Sequence, residues 1–158
     1  MATYNRTATG GGTVGHPSNA AVPYVMTSPV WDTADGGTGG DVVQLIDVPA
    51  DSMVVAGCLE VLEARGNGQI TMDIGITGGD VDCFVDGSAC AAGFTPFLEA
   101  AVGASGSNAR ILTSADTIDA LILDGGSTGE SALRFRIHVV LADISKNPTE
   151  SATVSSGT

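Results

Sequence analysis

Residues 133–141 read LRFRIHVVL, and hydrophobic side chains occupy every second position of this stretch. Two arginines and a histidine stand between them. Successive side chains of a β-strand point to opposite sides of its sheet, so this alternation predicts a strand with one buried side and one solvent-facing side. The buried side is predicted to hold Leu133, Phe135, Ile137, Val139 and Leu141, and the other side Arg134, Arg136 and His138.

Short segments of the same kind recur along most of the chain, separated by clusters of the 22 glycines and by asparagine, aspartate and proline. Examples are VVQLIDV at 42–48, SMVVAGCLEVLEA at 52–64 and TIDALIL at 117–123. Small helix formers cluster only at 89–104, where Pro96 permits a short helix beginning at that residue. This pattern of short strands separated by turn residues predicts an all-β fold, a β-sandwich or a jelly-roll-like barrel.

Residues 66–87 read GNGQITMDIGITGGDVDCFVDG and raise the question of a metal site, because four aspartates lie among glycines. A calcium loop of the EF-hand type needs glycine at its sixth position and glutamate at its twelfth. Counted from Asp80, these positions are Val85 and Ala91, so the pattern fails. We expect no metal at the aspartates, which are Asp73, Asp80, Asp82 and Asp86.

The same stretch fits two strands better. Ile70, Met72, Ile74 and Ile76 alternate with less hydrophobic residues, which is the period of a half-buried strand. Asn67-Gly68 is a hairpin signal, and Gly78-Gly79-Asp80 predicts the next turn. The aspartates are then expected on the solvent face or in turns.

The charge balance excludes some partners. Asp and Glu total 18 against six Lys and Arg, giving a net charge of −12. Nucleic-acid binding depends on neutralising phosphates with basic groups, so neither nucleic acid nor an anionic membrane is an expected partner. No apolar run approaches the roughly 18 residues of a transmembrane helix, and the first residues lack the apolar region of a signal peptide. We therefore expect synthesis in the cytoplasm.

The cysteines do not indicate a metal or a disulfide framework. Cys58, Cys83 and Cys90 form no CxxC pair, and an odd count leaves one unpaired in any case. A zinc site would have to be completed by His16 and His138, whose spacing matches no known pattern. Free thiols in a reducing compartment are expected.

Two glycine-rich segments match the residue patterns of catalytic or nucleotide-binding motifs but lack the structural context that those motifs need. Residues 125–129, GGSTG, fit G-x-S-x-G, but a predicted strand follows where the nucleophile of a serine hydrolase needs a helix. Gly10, Gly12 and Gly15 fit G-x-G-x-x-G, but this string runs into His16-Pro17 rather than a helix. The sequence predicts no catalytic residue, no cofactor and no enzymatic activity.

Composition divides the chain into an N-terminal arm at 1–40, a β domain at 41–144 and a flexible tail at 145–158. The arm is rich in glycine and proline and carries two apolar islands, VPYVM and VW. These islands could cover an edge of the chain's own sheet or dock on a neighbouring molecule. The candidate partner contacts of the arm are Tyr24, Val25, Met26, Val30 and Trp31.

The basic stripe of Arg134, Arg136 and His138 has two interpretations as well. Neighbouring cations on one strand face repel one another unless carboxylates stand opposite. Asp119, in the predicted strand TIDALIL, is the candidate partner within the chain. Alternatively the stripe contacts an acidic partner.

Several segments also resemble a known family. Residues 48–55 (VPADSMVV), residues 60–87 and the opening TYNRTATGGGTVGHPSNAAVPYV resemble the decoration or cement proteins of tailed bacteriophage heads. The resemblance covers about half of the chain. It implies a homotrimer on the outer capsid surface of the virion, bridging and stabilising the major capsid protein. A tail or fibre module remains an alternative, ahead of a trimeric enzyme of nucleotide metabolism or a carbohydrate-binding module.

Overall fold

The computed structural model describes residues 3–5, 23–33, 39–64, 70–76, 78–97, 111–123 and 133–144. These ranges contain eleven strands and no α-helix. The strands are β1 (Thr3–Asn5), β2 (Tyr24–Thr27), β3 (Trp31–Asp32), β4 (Val42–Val48), β5 (Ser52–Glu63), β6 (Thr71–Ile76), β7 (Val85–Ala89), β8 (Gly93–Pro96), β9 (Ile111–Leu112), β10 (Asp116–Ile122) and β11 (Arg134–Asp143).

The strands form two sheets. Sheet A has the order β1-β4-β10-β6-β7, and sheet B has the order β2-β11-β5-β8. In sheet B, β3 also pairs with β11 and β9 also pairs with β5. The described pairings are antiparallel except for β1 with β4. The predicted all-β fold is confirmed, in its sandwich form.

The core lies between the sheets, and β11 supplies one whole row of it. The five hydrophobic residues predicted to be buried, Leu133 through Leu141, are each 0% exposed. Sheet A contributes Ile74, Ile118 and Ala120, also at 0%. Full burial of one valine, leucine or isoleucine side chain stabilises the fold by roughly 1.5–3 kcal/mol. With few aromatic residues in the chain, this interdigitation of branched aliphatics holds the sheets together.

A bulge in β4 departs from simple alternation. Ile118 stands opposite Ile46, but the next residue, Asp119, stands opposite Gln44, so Leu45 is the extra residue on β4. The extra residue reverses which positions face inward. Consequently Leu45 and Ile46 are adjacent in sequence and both 0% exposed.

Several strands that follow one another along the chain lie in different sheets. The turn at Pro49, Ala50 and Asp51 carries the chain from β4 in sheet A to β5 in sheet B, with Asp51 at φ 56°. The expectation that Asn67-Gly68 joins a hairpin is wrong, because β5 and β6 belong to opposite sheets. Residues 67–68, like the 125–129 string between β10 and β11, lie outside the described residues.

Two other local predictions have clear outcomes. The turn at Gly78-Gly79-Asp80 is confirmed, with Gly78 at φ 91° and the Gly79 N–H donating to the Ile76 carbonyl. The segment around Pro96, which permitted at most a short helix beginning there, forms a strand instead, and Pro96 is the last residue of β8. Strand β8 lies at an edge of sheet B, where the missing N–H of proline removes no ladder bond.

The apolar islands of the predicted arm dock on their own domain. Strand β2 pairs with β11 from Thr27 opposite His138 to Tyr24 opposite Leu141, and β3 pairs farther along the same strand. Between them the chain bulges at Pro29, and the Ser28 hydroxyl accepts the Ile137 N–H at 3.0 Å. This bond satisfies a buried donor that the bulge would otherwise leave unpaired. Most of the arm, at 6–22 and 34–38, and the tail at 145–158 lie outside the described residues.

Gly75 marks the tightest backbone approach in sheet A. A Cβ at this position would lie 2.3 Å from the Asp80 carbonyl oxygen and 2.3 Å from the Val81 carbonyl carbon. Both are backbone atoms of the segment that follows the turn, so neither can rotate away. Only glycine therefore lets this segment cross β6 so closely.

We expect Gly75→Ala to lower the free energy of unfolding by about 1–3 kcal/mol, the usual cost of forcing extra volume into a packed site. Gly79→Ala is the matched control, because its nearest neighbour would lie at 3.6 Å. Urea unfolding followed by the fluorescence of the single tryptophan, Trp31, measures both variants. Equal transition midpoints for the two variants would contradict the steric account.

Candidate interaction face

The structure brings all eight candidate contact residues together on three paired strands and one connection of sheet B. The arm residues lie on β2, β3 and the connection between them, and the basic stripe lies on β11, which pairs with both strands. Their side chains divide between two sides. Tyr24 and Met26 pack against the core, and Trp31 is 1% exposed and is therefore a core residue of its own chain. Val25 and Val30 are exposed, at 68% and 37%.

We call the solvent side of sheet B the outer face. Residues paired across antiparallel strands lie on the same side of a sheet. Val25 pairs with Val140, and His138 pairs with both Thr27 and Cys58. Farther across the sheet, Glu60 pairs with Phe94 of β8. The outer face thus combines the predicted basic stripe with exposed apolar side chains from both edges.

Glu60 is the centre of the charged part of this face. Its Oε2 atom accepts hydrogen bonds from Arg136 Nε and from His138 Nε2, the latter at 2.9 Å. A carboxylate only accepts, so His138 Nε2 carries the proton of that bond. His138 Nδ1 lies 2.9 Å from the Thr27 hydroxyl. These bonds connect β5, β11 and β2 in one row, and both nitrogens of the imidazole are engaged.

The same bonds hold the pKa of Glu60 below its ordinary value. The hydrogen bond from Arg136 contributes most and that from His138 comes next, and both favour the ionised carboxylate. The carboxylate side chain is 14% exposed and that of Arg136 is 35% exposed. Glu60 is therefore an ionised acceptor that neutralises the middle of the basic stripe.

Arg134 is held more loosely. Its Nε lies 3.8 Å from Asp32 Oδ2, and its Nη1 lies 4.0 Å from Glu63 Oε2. The side chains of Arg134 and Glu63 are 47% and 54% exposed, and ion pairs this exposed contribute little to stability. The prediction that carboxylates of neighbouring strands pair with the basic stripe is confirmed, but Asp119, the predicted partner, is wrong. Asp119 lies in sheet A, opposite Gly75, and is 3% exposed.

Phe94 is the part of the face that the sequence did not predict. It is 69% exposed, the largest exposure among the big hydrophobic side chains of the described residues. Because the small residues around it favoured a helix, the segment was not expected to be a strand. The signal that could have identified it is Pro96, since proline within an otherwise strand-like run is typical of a sheet edge.

Of the aspartates that were expected on the solvent face or in turns, Asp86 is exposed and Asp82 lies in a turn, whereas Asp73 is buried. Asp73 is only 6% exposed, and its Oδ1 accepts the Gly87 N–H at 2.7 Å. Asp82 has a raised pKa, chiefly through a hydrogen bond with the Asp80 carboxyl. Within the described ranges, no three His, Cys, Asp or Glu side chains come together as a metal site would require.

All three cysteines are free thiols in the structure. Cys83 and Cys90 are buried, and desolvation raises the pKa of each thiol to about 12. Cys58 lies on the outer face, where desolvation first and the Glu60 charge second raise its pKa. A raised pKa disfavours the thiolate, which is the nucleophilic form of cysteine.

We expect Glu60→Gln to remove a pH-dependent part of the stability. The folded-state pKa of Glu60 lies below the ordinary glutamate value of about 4.3. Its contribution is therefore fully present above that pH and is lost as the pH falls through the lowered pKa. The stability difference between wild type and variant should be largest at neutral pH and should shrink in acid.

Urea unfolding over a series of pH values measures this difference. Glu63→Gln is the control, because its carboxylate is 54% exposed and lies 4.0 Å from Arg134. A difference for Glu60→Gln that did not change with pH would contradict the ionic role.

None of the described ranges contains a helix with the length and hydropathy needed to span a membrane.

Comparisons with known proteins give a match at the level of fold. No protein-family model and no curated protein matches the chain. A chain of the capsid of Ralstonia phage GP4 is similar, with 18% identity, a TM-score of 0.65, and coverage of 90% of this chain and 98% of that one. A chain of the cyanophage Pam1 capsid asymmetric unit has 15% identity, a TM-score of 0.58, and coverage of 86% and 96%.

A chain of the acidic stable capsid structure of Helicobacter pylori bacteriophage KHP30 is similar as well. It has 16% identity, a TM-score of 0.56, and coverage of 77% of this chain and 87% of that one. The three likenesses extend over most of both chains in every case. The chain therefore has a fold that also occurs in the capsids of three phages.

Proposed function

We propose that this chain is a structural protein of a phage virion that binds the outer surface of the assembled capsid and stabilises it. The observation that carries the proposal is the fold likeness to a chain of the GP4 capsid over 90% of this chain and 98% of that one. A match of this extent involves the whole sandwich. The sequence resemblance to decoration proteins, in the opening segment and in residues 48–55 and 60–87, supports the same role.

The hydrogen bonds that polar residues make within the fold support a structural role. Both ring nitrogens of His138 are engaged within sheet B, one by Glu60 and the other by Thr27. Asp73, in the stretch that suggested a metal, fixes the Gly87 backbone. His138 and Asp73, two of the residues that suggested chemistry, thus make their polar contacts within the fold.

The proposed partners are the major capsid protein and neighbouring copies of this chain, with a homotrimer as the expected assembly. A protein that binds an assembled shell but not its separate subunits stabilises the shell by mass action. Many copies, each held weakly, can together give a strength that no single contact would provide. A rigid sandwich suits this role, because it loses little conformational entropy on docking.

The alternatives from other classes have less support. A carbohydrate-binding module usually presents several exposed aromatic platforms, but Trp31 is buried and Tyr24 packs against the core, which leaves Phe94 as the one strongly exposed ring among the side chains whose burial the structure describes. A nucleotide enzyme needs basic groups for phosphate, whereas Arg134 and Arg136 already face carboxylates. A tail or fibre component remains the second candidate within the virion, and the fold likenesses to capsid chains favour the capsid.

The test adds purified protein to expanded phage capsids that lack it. We expect saturable binding and a higher temperature of capsid rupture, because the bound state of the shell is stabilised. Occupancy is measured by quantitative electrophoresis of sedimented particles, and rupture by release of packaged DNA on heating.

Capsids that already carry all of their copies of this protein are the control and should take up no more of it. Absence of binding, or binding with an unchanged rupture temperature, would reject the capsid role and favour a tail or fibre location.

A further inference from the structure

The charges of the described residues are distributed unevenly over the molecule. Arg134 and Arg136 are the only arginines or lysines in the described ranges, and both lie on the outer face of sheet B. They stand among Asp32, Glu60 and Glu63, so that face is close to neutral. The other described carboxylates lie on sheet A, in the connections between strands or at the far end of β11.

Exposed apolar side chains concentrate on the same sheet. Val25 and Phe94 project from the outer face at opposite edges, with exposures of 68% and 69%. By contrast, Val81 and Leu123 are the large exposed hydrophobic residues that the structure describes away from sheet B. The others, all on the strands of sheet B or the connection between β2 and β3, are Val25, Val30, Val55, Leu62, Phe94 and Ile111.

Building on the proposed function, which includes contact between copies, we infer that the outer face of sheet B is the surface through which copies of this chain bind one another. Each copy carries a net charge of −12, so two copies repel through most of their surfaces. Repulsion between exposed charges extends over a Debye length of about 8 Å at physiological salt. The outer face is where two copies can approach with the least repulsion and the greatest loss of exposed apolar area.

The face is the size of a small interface. Its two central strands, β11 and β5, pair over ten residues, and its edge strands, β2 and β8, have four residues each. At about 3.3 Å per residue and about 4.8 Å between strands, these strands cover a flat area on the order of 450 Å². That is below the about 800 Å² per partner of a standard interface and suits a reversible contact.

The charged part of the face carries groups of both signs, so it can pair with the same face of a second copy in a two-fold contact, which is distinct from the three-fold contact that a homotrimer needs. Arg134 lies 3.8 Å from Asp32 and 4.0 Å from Glu63, so both of its ion pairs with described residues are long. The side chains of Arg134 and Glu63 are about half exposed and can form pairs with the equivalent groups of a second copy. Arg136 and His138, in contrast, are held by Glu60 and keep the middle of the face fixed.

The test measures the mass of the full chain in solution, without capsids, by sedimentation velocity over a range of protein concentrations. We expect wild type to self-associate, and Val25→Glu with Phe94→Glu to weaken association by about tenfold or more, since each change places an unpaired charge in the interface. Val81→Glu with Leu123→Glu is the matched control and should associate as wild type does.

Arg134→Glu gives an independent measurement on the same face. It leaves four neighbouring carboxylates on the face with one arginine, so association should weaken at low salt and recover partly at high salt through screening. Circular dichroism and thermal unfolding confirm that each variant retains the fold.

A wild type that stays monomeric at every concentration would overturn the inference. So would an outer-face variant that associates as strongly as wild type, or equal weakening in the control pair. Because the readout involves no capsid, failure here is distinguishable from failure of the proposed capsid binding.

Discussion

The pairing of β11 with β5 is the constraint on which the rest of the structure depends. The two strands pair from Arg134 opposite Glu63 to Asp143 opposite Ser52, the longest pairing among the described strands, with one register shift near each end. One side of β11 supplies a continuous row of the core, and its other side carries the basic stripe. A slip by one residue would exchange these two sides and place arginines in the core. The register therefore fixes both the hydrophobic packing and the surface chemistry of the molecule.

Some features of the fold could be predicted from the sequence because they depend on local pattern. The alternation from Leu133 to Leu141 reflects burial on one side of one strand, and the structure reproduces it residue by residue. The positive φ of Gly78 is likewise a local property of a turn. Sheet membership is different, because consecutive strands such as β5 and β6 separate only when the whole sandwich closes. No local signal at Asn67-Gly68 distinguishes a hairpin from a crossing between sheets.

The candidate face was predictable to a similar extent. The arginines were placed on the solvent side correctly, since alternation settles the side. Their partner was not, because choosing between Asp119 and Glu60 requires knowing which strand lies beside β11. Trp31 illustrates the same limit: an isolated tryptophan in a glycine-rich segment fits either a partner's surface or the chain's own core. Because β3 pairs with β11, Trp31 belongs to the core of its own chain.

A strongly acidic protein that assembles must keep some surface where its own charge does not oppose contact. Here the few cations of the described chain are not scattered, as they would be if they served only solubility. They lie on one side of one strand, where Glu60 fixes Arg136 and His138 while Arg134 stays about half exposed. The same β11 register that aligns these cations also brings β2 alongside, and with it Val25. Low net charge and exposed apolar area thus coincide on the outer face because a single strand, β11, positions the cations and the strand that carries Val25.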